Sequence, residues 1–178
     1  MIILLDQDNV LADFETAFYS AWAKSGCSFP PIELERRRTF YLSEDYPAEH
    51  HDLLHSIYTA PGFFRDLKPM KGAVQAVREM LAQGHTVKIC TTPIMKYYNC
   101  VLEKYEWVEK HLGFEMTKSM VLTRDKTLVQ GDIIIDDKPE ISGLVKPAWE
   151  HIIYDHPYNR NRPNRRLNWA NWRQVLGV

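Results

Sequence analysis

Cysteine is scarce in this 178-residue chain: Cys27, Cys90 and Cys100 are the only three, and no two share a CxxC spacing. That argues against a paired-thiolate metal site and against a disulfide framework, so the thiols are expected to be reduced, small buried groups. No run of residues approaches the ~20 apolar positions that a bilayer-spanning helix requires. An excess of one charge is also missing. Lysine and arginine number 22 against 23 acidic residues, a formal net charge of -1, which leaves no global positive field to hold a nucleic-acid polymer or an anionic membrane. Any phosphate must therefore be bound locally. There is no internal repeat and no low-complexity tract. The opening Met1-Ile2-Ile3-Leu4-Leu5-Asp6 is too short and too soon charged to read as a signal or transit segment, so the expected location is cytoplasmic.

What is present fits one globular domain with a small insertion: 45% of residues are hydrophobic and 25% charged. Short Ile/Val-rich runs at Ile2–Leu5, Val87–Cys90, Met120–Thr123, Ile133–Ile135 and Ile152–Tyr154 read as strands buried on both faces, as in a parallel sheet. Between them the spacing predicts a helix over Met70–Gln83, with Ala73, Val74, Val77 and Leu81 inward and Gly84 as its stop, and a second from about Met95 to His111. The alternation points to an α/β fold, a Rossmann-like open parallel sheet flanked by helices. Residues 14–68 break that rhythm with aromatics and charge, and Pro30-Pro31, Pro47 and Pro61-Gly62 cut them into about three pieces. They read as a small helical cap inserted after the first strand, with 1–13 and 69–178 forming the core. Near the C-terminus, Arg160, Arg162, Arg165, Arg166 and Arg173 surround Trp169 and Trp172. A last helix capped by Asn168, docking Trp169, Trp172 and Leu176 with its arginines solvated, is favoured over a nucleic-acid surface.

Open α/β sheets bind ligands beyond the carboxyl ends of their strands. The strands predicted here lead into Asp6-Gln7-Asp8-Asn9, Thr91-Thr92-Pro93, Arg124-Asp125-Lys126 and Asp136-Asp137. Carboxylates, hydroxyls and an ammonium would thus surround one crevice. Asp6 and Asp8, two apart, project to one side if the strand geometry persists.

This ordered set resembles the four motifs of the haloacid dehalogenase (HAD) superfamily. The run Asp6-Gln7-Asp8-Asn9-Val10-Leu11-Ala12-Asp13-Phe14-Glu15 resembles, more narrowly, the opening of the 5'(3')-deoxyribonucleotidases. The resemblance continues through Ala60-Pro61-Gly62-Phe63-Phe64, Cys90-Thr91-Thr92-Pro93, Glu103-Lys104-Tyr105, Val121–Thr127, Ile135-Asp136-Asp137-Lys138 and Ala148-Trp149-Glu150-His151. It implies a magnesium-dependent phosphatase acting on a small-molecule nucleotide, with a homodimer as the expected assembly. Asp6 would be the nucleophile and a metal ligand, and Asp8 the general acid and base. The Asp8 carbonyl and Asp137 would complete the Mg2+ ligands, with Asp136 behind them. Lys126, Thr91 and Thr92 would bind the phosphoryl oxygens. The resemblance carries the base and sugar pocket onto Phe14, Phe40, Tyr41, Tyr58, Ile94, Lys96 and Arg124, and base stacking on such rings is worth ~1–3 kcal/mol.

Two positions depart from that family's pattern. Asn9 stands where glycine is usual, and asparagine is the residue best able to adopt a positive φ in its place. Gln7 replaces an apolar residue and needs partners for its amide if buried. Three other readings compete. His51 and His55, an i, i+4 pair, offer a remote zinc-peptidase motif; receiver-like signalling domains use similar residues in a different order; and a sugar-phosphate phosphatase or phosphomutase of the same superfamily is the nearest enzymatic alternative.

Overall fold

The computed structural model describes residues 1–178. Its elements are β1 (Ile2–Leu5), α1 (Phe14–Lys24), α2 (Leu42–Asp45), α3 (His51–Thr59), α4 (Ala73–Ala82), β2 (Thr86–Thr91), α5 (Cys100–Leu112), α6 (Phe114–Thr117), β3 (Met120–Leu122), β4 (Ile133–Asp136), β5 (Glu150–Tyr154), β6 (Arg166–Leu167) and α7 (Trp172–Leu176). The six strands form one sheet in the order β3-β2-β1-β4-β5-β6, and every neighbouring pair is parallel. The chain leaves β1 toward β2 and β3, then returns to place β4 on the other side. The strand order therefore reverses between β1 and β4, where such sheets open a binding crevice. Leu5 pairs with Ile135, which sets Asp6 beside Asp136 at that switch point.

The five strands expected from their apolar runs all form, while β6 is only two residues long and gives no periodic signal. The main core gathers Ile3, Leu5, Ile89, Ile135 and Ile152 of the sheet with Ala73, Ala76, Val77 and Met80 of α4 and Trp107, Trp169 and Trp172. Helix α4 starts later than the spacing predicts because Gly72 sits at φ +89, outside the helical region. Its inward face is 73, 76, 77 and 80, so Leu81 is exposed and Met80 takes its place. Helix α5 likewise begins at Cys100 rather than near Met95, since Met95, Tyr97 and Tyr98 are exposed and have no face to pack. At the C-terminus, Asn168 accepts from the Ala170 and Asn171 amides in a turn, and α7 starts at Trp172. Trp169 and Trp172 are buried with the core.

Between β1 and β2 a second cluster joins Phe18 and Trp22 of α1, Leu42 of α2, Tyr46, and Leu54 and Ile57 of α3. Helices α2 and α3 end just before Pro47 and Pro61, while α1 stops at Lys24, ahead of Gly26 and well short of Pro30. The C-terminal arginines are largely paired with acids: Arg162 with Glu140, Arg165 with Glu150, Arg166 with Asp155 and Arg173 with Glu79. No helix is long and apolar enough to cross a membrane.

Candidate functional site

The loop after β1 folds back on itself. Leu11 and Ala12 both donate their amides to the Gln7 carbonyl, at 2.9 and 2.8 Å, and Asn9 takes a φ of 58°. The Asn9 side chain anchors this turn on two sides, accepting from the Glu15 amide at 3.1 Å and donating to the Tyr158 hydroxyl at 3.3 Å. Asp13 then caps α1 by accepting from the Thr16 amide. Gln7 is buried; its amide nitrogen donates to the Lys104 carbonyl at 3.2 Å, and its oxygen has no partner.

Beyond the strand ends lie three buried carboxylates, Asp6, Asp136 and Asp137, whose oxygens come within 4.8 Å of one another. Lys126 is the cation among them. It donates to Asp136 Oδ2 at 2.6 Å and lies 2.8 Å from Asp6 Oδ1, an ion pair off the hydrogen-bonding direction that leaves Asp6 Oδ1 without a donor. Burial pushes the Asp6 carboxyl up to about 6; Asp136 and Asp8 add to the rise and Lys126 opposes it. Asp137 is held well above the usual carboxylate range by burial and then by Asp136 and Asp6. Burial alone would lower the Lys126 ammonium, but Asp136 and Asp6 outweigh it and raise it.

A second buried lysine, Lys104 on α5, completes this arrangement. Its ammonium donates to Asp8 Oδ2 at 2.7 Å and to Thr91 Oγ1 at 3.1 Å, and lies over the Phe64 ring. Asp8 Oδ1 keeps no partner. One oxygen of Asp8 is thus fixed and the other is free.

A cavity of about 340 Å³ opens over these groups. It brings together Asp6, Asp8, Asp136, Asp137 and Lys126 with Thr92, Ile94, Arg124, Phe14, Phe40, Tyr41 and Tyr58. Two expected residues do not line it. Thr91 and Thr92 are consecutive and point to opposite sides, so Thr91 is turned inward onto Lys104. Lys96 lies on the exposed loop before α5. Thr92 lines the cavity with its hydroxyl donated to the Thr123 carbonyl at 2.8 Å. Glu15 and Lys138 also line the cavity and had not been singled out; Lys138 Nζ is 5.9 Å from both the Phe40 and Tyr41 ring centres. Nor had Arg37, a fully buried guanidinium. It donates to both Glu15 oxygens at 2.6 and 2.7 Å, to Asp45 Oδ2 at 2.5 Å, and to the carbonyls of Thr39 and Phe40. The remaining histidine pair gathers no third ligand, and His51 Nε2 is bonded to the Tyr46 carbonyl.

The donor set suits a hard divalent cation. It consists of carboxylate oxygens only, it crowds three acids around one ammonium, and Asp6 presents an oxygen that nothing donates to. The hydrogen bonds also distinguish the neighbouring aspartates. Both Asp136 oxygens are occupied, by Lys126 and by the Lys138 amide, whereas Asp137 accepts through Oδ2 alone, from Tyr158.

The parallel sheet with its flanking helices is a HAD-like fold. A HAD family hydrolase of Deinococcus radiodurans, solved with bound phosphate and sodium, shares the fold at a TM-score of 0.58 and 16% identity, covering 99% of this chain and 94% of its own. A magnesium-bound HAD-type hydrolase of Bacillus subtilis does so at 0.56 and 13%, covering 99% and 98%. Sequence comparison narrows the class. The family model described as "5' nucleotidase, deoxy (Pyrimidine), cytosolic type C protein" matches residues 1–178. A Bordetella pertussis relative, provisionally named a 5'(3')-deoxyribonucleotidase, is 58% identical over 177 residues, covering 99% of this chain and 95% of its own. The human 5'(3')-deoxyribonucleotidase, cytosolic type, is 46% identical over 185 residues, with 98% and 92% covered. The chain belongs to the 5'(3')-deoxyribonucleotidase family.

Proposed function

We propose that this chain hydrolyses nucleoside monophosphates, the deoxyribonucleotides of its relatives' names first among them, through a phosphoryl group carried on Asp6. The observation that carries the reading is the pairing of Asp6 and Asp8 at the floor of a cavity walled by Phe14, Phe40, Tyr41 and Tyr58. The two carboxylates stand in different environments. Asp6 is ion-paired with Lys126 through Oδ1, and its Oδ2 accepts no hydrogen bond, which leaves an oxygen for attack. Asp8 is held by Lys104 through one oxygen, with the other available for a proton.

In the first half-reaction an Asp6 oxygen attacks phosphorus, the bond to the nucleoside oxygen breaks, and Asp8 gives that oxygen its proton. In the second, Asp8 takes a proton from water as the water oxygen attacks phosphorus. The bond to Asp6 then breaks, releasing phosphate and restoring the Asp6 carboxylate and the protonated Asp8. Lys126 stabilises charge on the phosphoryl oxygens throughout. A Mg2+ held by Asp6, the Asp8 carbonyl and Asp137 would neutralise charge between the attacking carboxylate and the phosphate. The helical segment 14–68 acts as a cap in this reading, presenting aromatic faces to the base.

The test is phosphate release from a panel of ribo- and deoxyribonucleoside monophosphates and sugar phosphates, with Mg2+ and with chelator. Nucleotide turnover abolished by the chelator is expected. Equal or faster turnover of the sugar phosphates would sink the assignment.

A further inference from the structure

The segment after β5 carries a side chain that the proposed chemistry does not use. Tyr158 is buried, and its hydroxyl donates to Asp137 Oδ2 at 2.5 Å while accepting from Asn9 at 3.3 Å. Its neighbour Asn159 donates to the Asp137 backbone carbonyl at 2.8 Å and to the Tyr154 carbonyl at 2.9 Å. The residue is therefore gripped at both its carboxylate and its main chain by one short turn. The Tyr158 ring is itself fixed on its faces and edge: it stacks on His156 at 5.2 Å and 15°, the Arg37 guanidinium carbon lies 5.5 Å from its centre, and Phe40 meets it edge-on at 6.1 Å.

A tyrosine serving only as packing would not need its hydroxyl aimed at a buried acid. Here the hydroxyl is the one donor to Asp137 Oδ2, and Asp137 stands within a few ångströms of two other carboxylates that repel it. Without that donor, rotation of the carboxylate away from Asp6 and Asp136 would relieve repulsion in the metal-free chain. Such outer hydrogen bonds orient ligating carboxylates, and losing one costs about 10–100-fold in metal affinity.

We propose that Tyr158 is a positioning residue for the divalent-cation site, acting through Asp137 by holding one carboxylate oxygen so that the other faces the ion. The proposal rests on Asp137 being a cation ligand, as the function above requires. Tyr158→Phe is the direct test because it keeps the ring and removes only the hydroxyl. The full chain and the variant are titrated with Mn2+, followed by electron paramagnetic resonance, and with Mg2+, followed by calorimetry. Melting curves are recorded without metal. The variant is expected to bind both ions about 10–100-fold more weakly while melting as a folded protein. An unchanged affinity in Tyr158→Phe, or a Tyr158→Phe chain that does not fold, would each overturn the proposal. A wild-type chain that binds neither ion would overturn the reading of the site along with it.

Discussion

Two buried charge clusters lie on either side of the same cavity and are built on opposite principles. In the helical segment, Arg37 meets Glu15 and Asp45, and all five guanidinium donors reach acceptors. At the strand ends, Asp6 and Asp136 share the Lys126 ammonium with Asp137 crowded beside them, Asp6 and Asp8 each keep an oxygen without a donor, and two of the acids are pushed up by burial and mutual repulsion. A satisfied cluster holds structure; an unsatisfied one stores affinity for something that arrives later. The difference tells the framework from the reactive part without reference to any relative.

The sharpest way to break that contrast is at Asp6. Asp6→Asn keeps the size of the side chain and removes the carboxylate proposed to attack phosphorus, so turnover should fall by a factor on the order of 10⁴ or more in a steady-state phosphate-release assay. Retention of more than a tenth of the activity would remove Asp6 from the chemistry.

The next largest effect should be on stability and on the other cluster. Arg37→Met leaves Glu15 and Asp45 buried without their cation, and breaking a buried pair in this way costs about 3–5 kcal/mol. At about 2–4 °C per kcal/mol for a chain of this size, melting should drop by roughly 6–20 °C. Asp137→Asn should behave oppositely in the metal-free protein, holding or raising the melting temperature because it removes one of three crowded charges. Two drops of similar size would show the clusters to be of one kind.

Much of this contrast was legible from the chain itself, and the parts that were not share a reason. Asp6, Asp8, Lys126 and Asp136-Asp137 announce themselves because each follows an apolar run, and a parallel sheet must gather such ends on one edge. Lys104 lies in the run Glu103–Lys110, where alternating charge on a helix reads as a solvated face, yet Glu103 and Lys104 are both buried. Arg37 is the middle of three consecutive arginines, and only the tertiary fold selects it over Arg36 and Arg38. Tyr158 reaches Asp137 from 21 positions away through a turn with no periodicity. Partners brought by long loops leave no local pattern to read.

Acidity offers a milder probe of the unsatisfied cluster. An acid whose folded pKa lies above its unfolded value binds its proton more tightly in the native state, so its contribution is full below the unfolded value and lost as pH rises through the folded one. Asp6 at about 6 and Asp137 well above the ordinary range should therefore make the metal-free chain more stable at pH 5 than at pH 8. Mg2+ should raise the melting temperature more at pH 8 than at pH 5, where protons compete for the same oxygens. Calorimetric scans with and without Mg2+ check both signs, and a Mg2+ shift that is larger at pH 5 would contradict them.

The smallest expected effect lies where the two clusters meet. Arg37 holds the Phe40 carbonyl, so the satisfied cluster sets the wall of the cavity whose floor is the unsatisfied one. If that wall stacks on a base, Phe40→Ala should lose about 1–3 kcal/mol of binding, a rise of roughly 5–150-fold in KM for a nucleotide. Turnover of p-nitrophenyl phosphate, which has no nucleobase, should fall by less than about threefold if the wall contributes binding rather than chemistry. The Phe40 ring also touches Tyr158 edge-on and lies near Lys138, so a modest change in cation affinity would register in the same variant. Equal losses on both substrates would mean that Phe40 supports the floor instead of the wall, and the division between the two clusters would then run through Tyr158 rather than around the cavity.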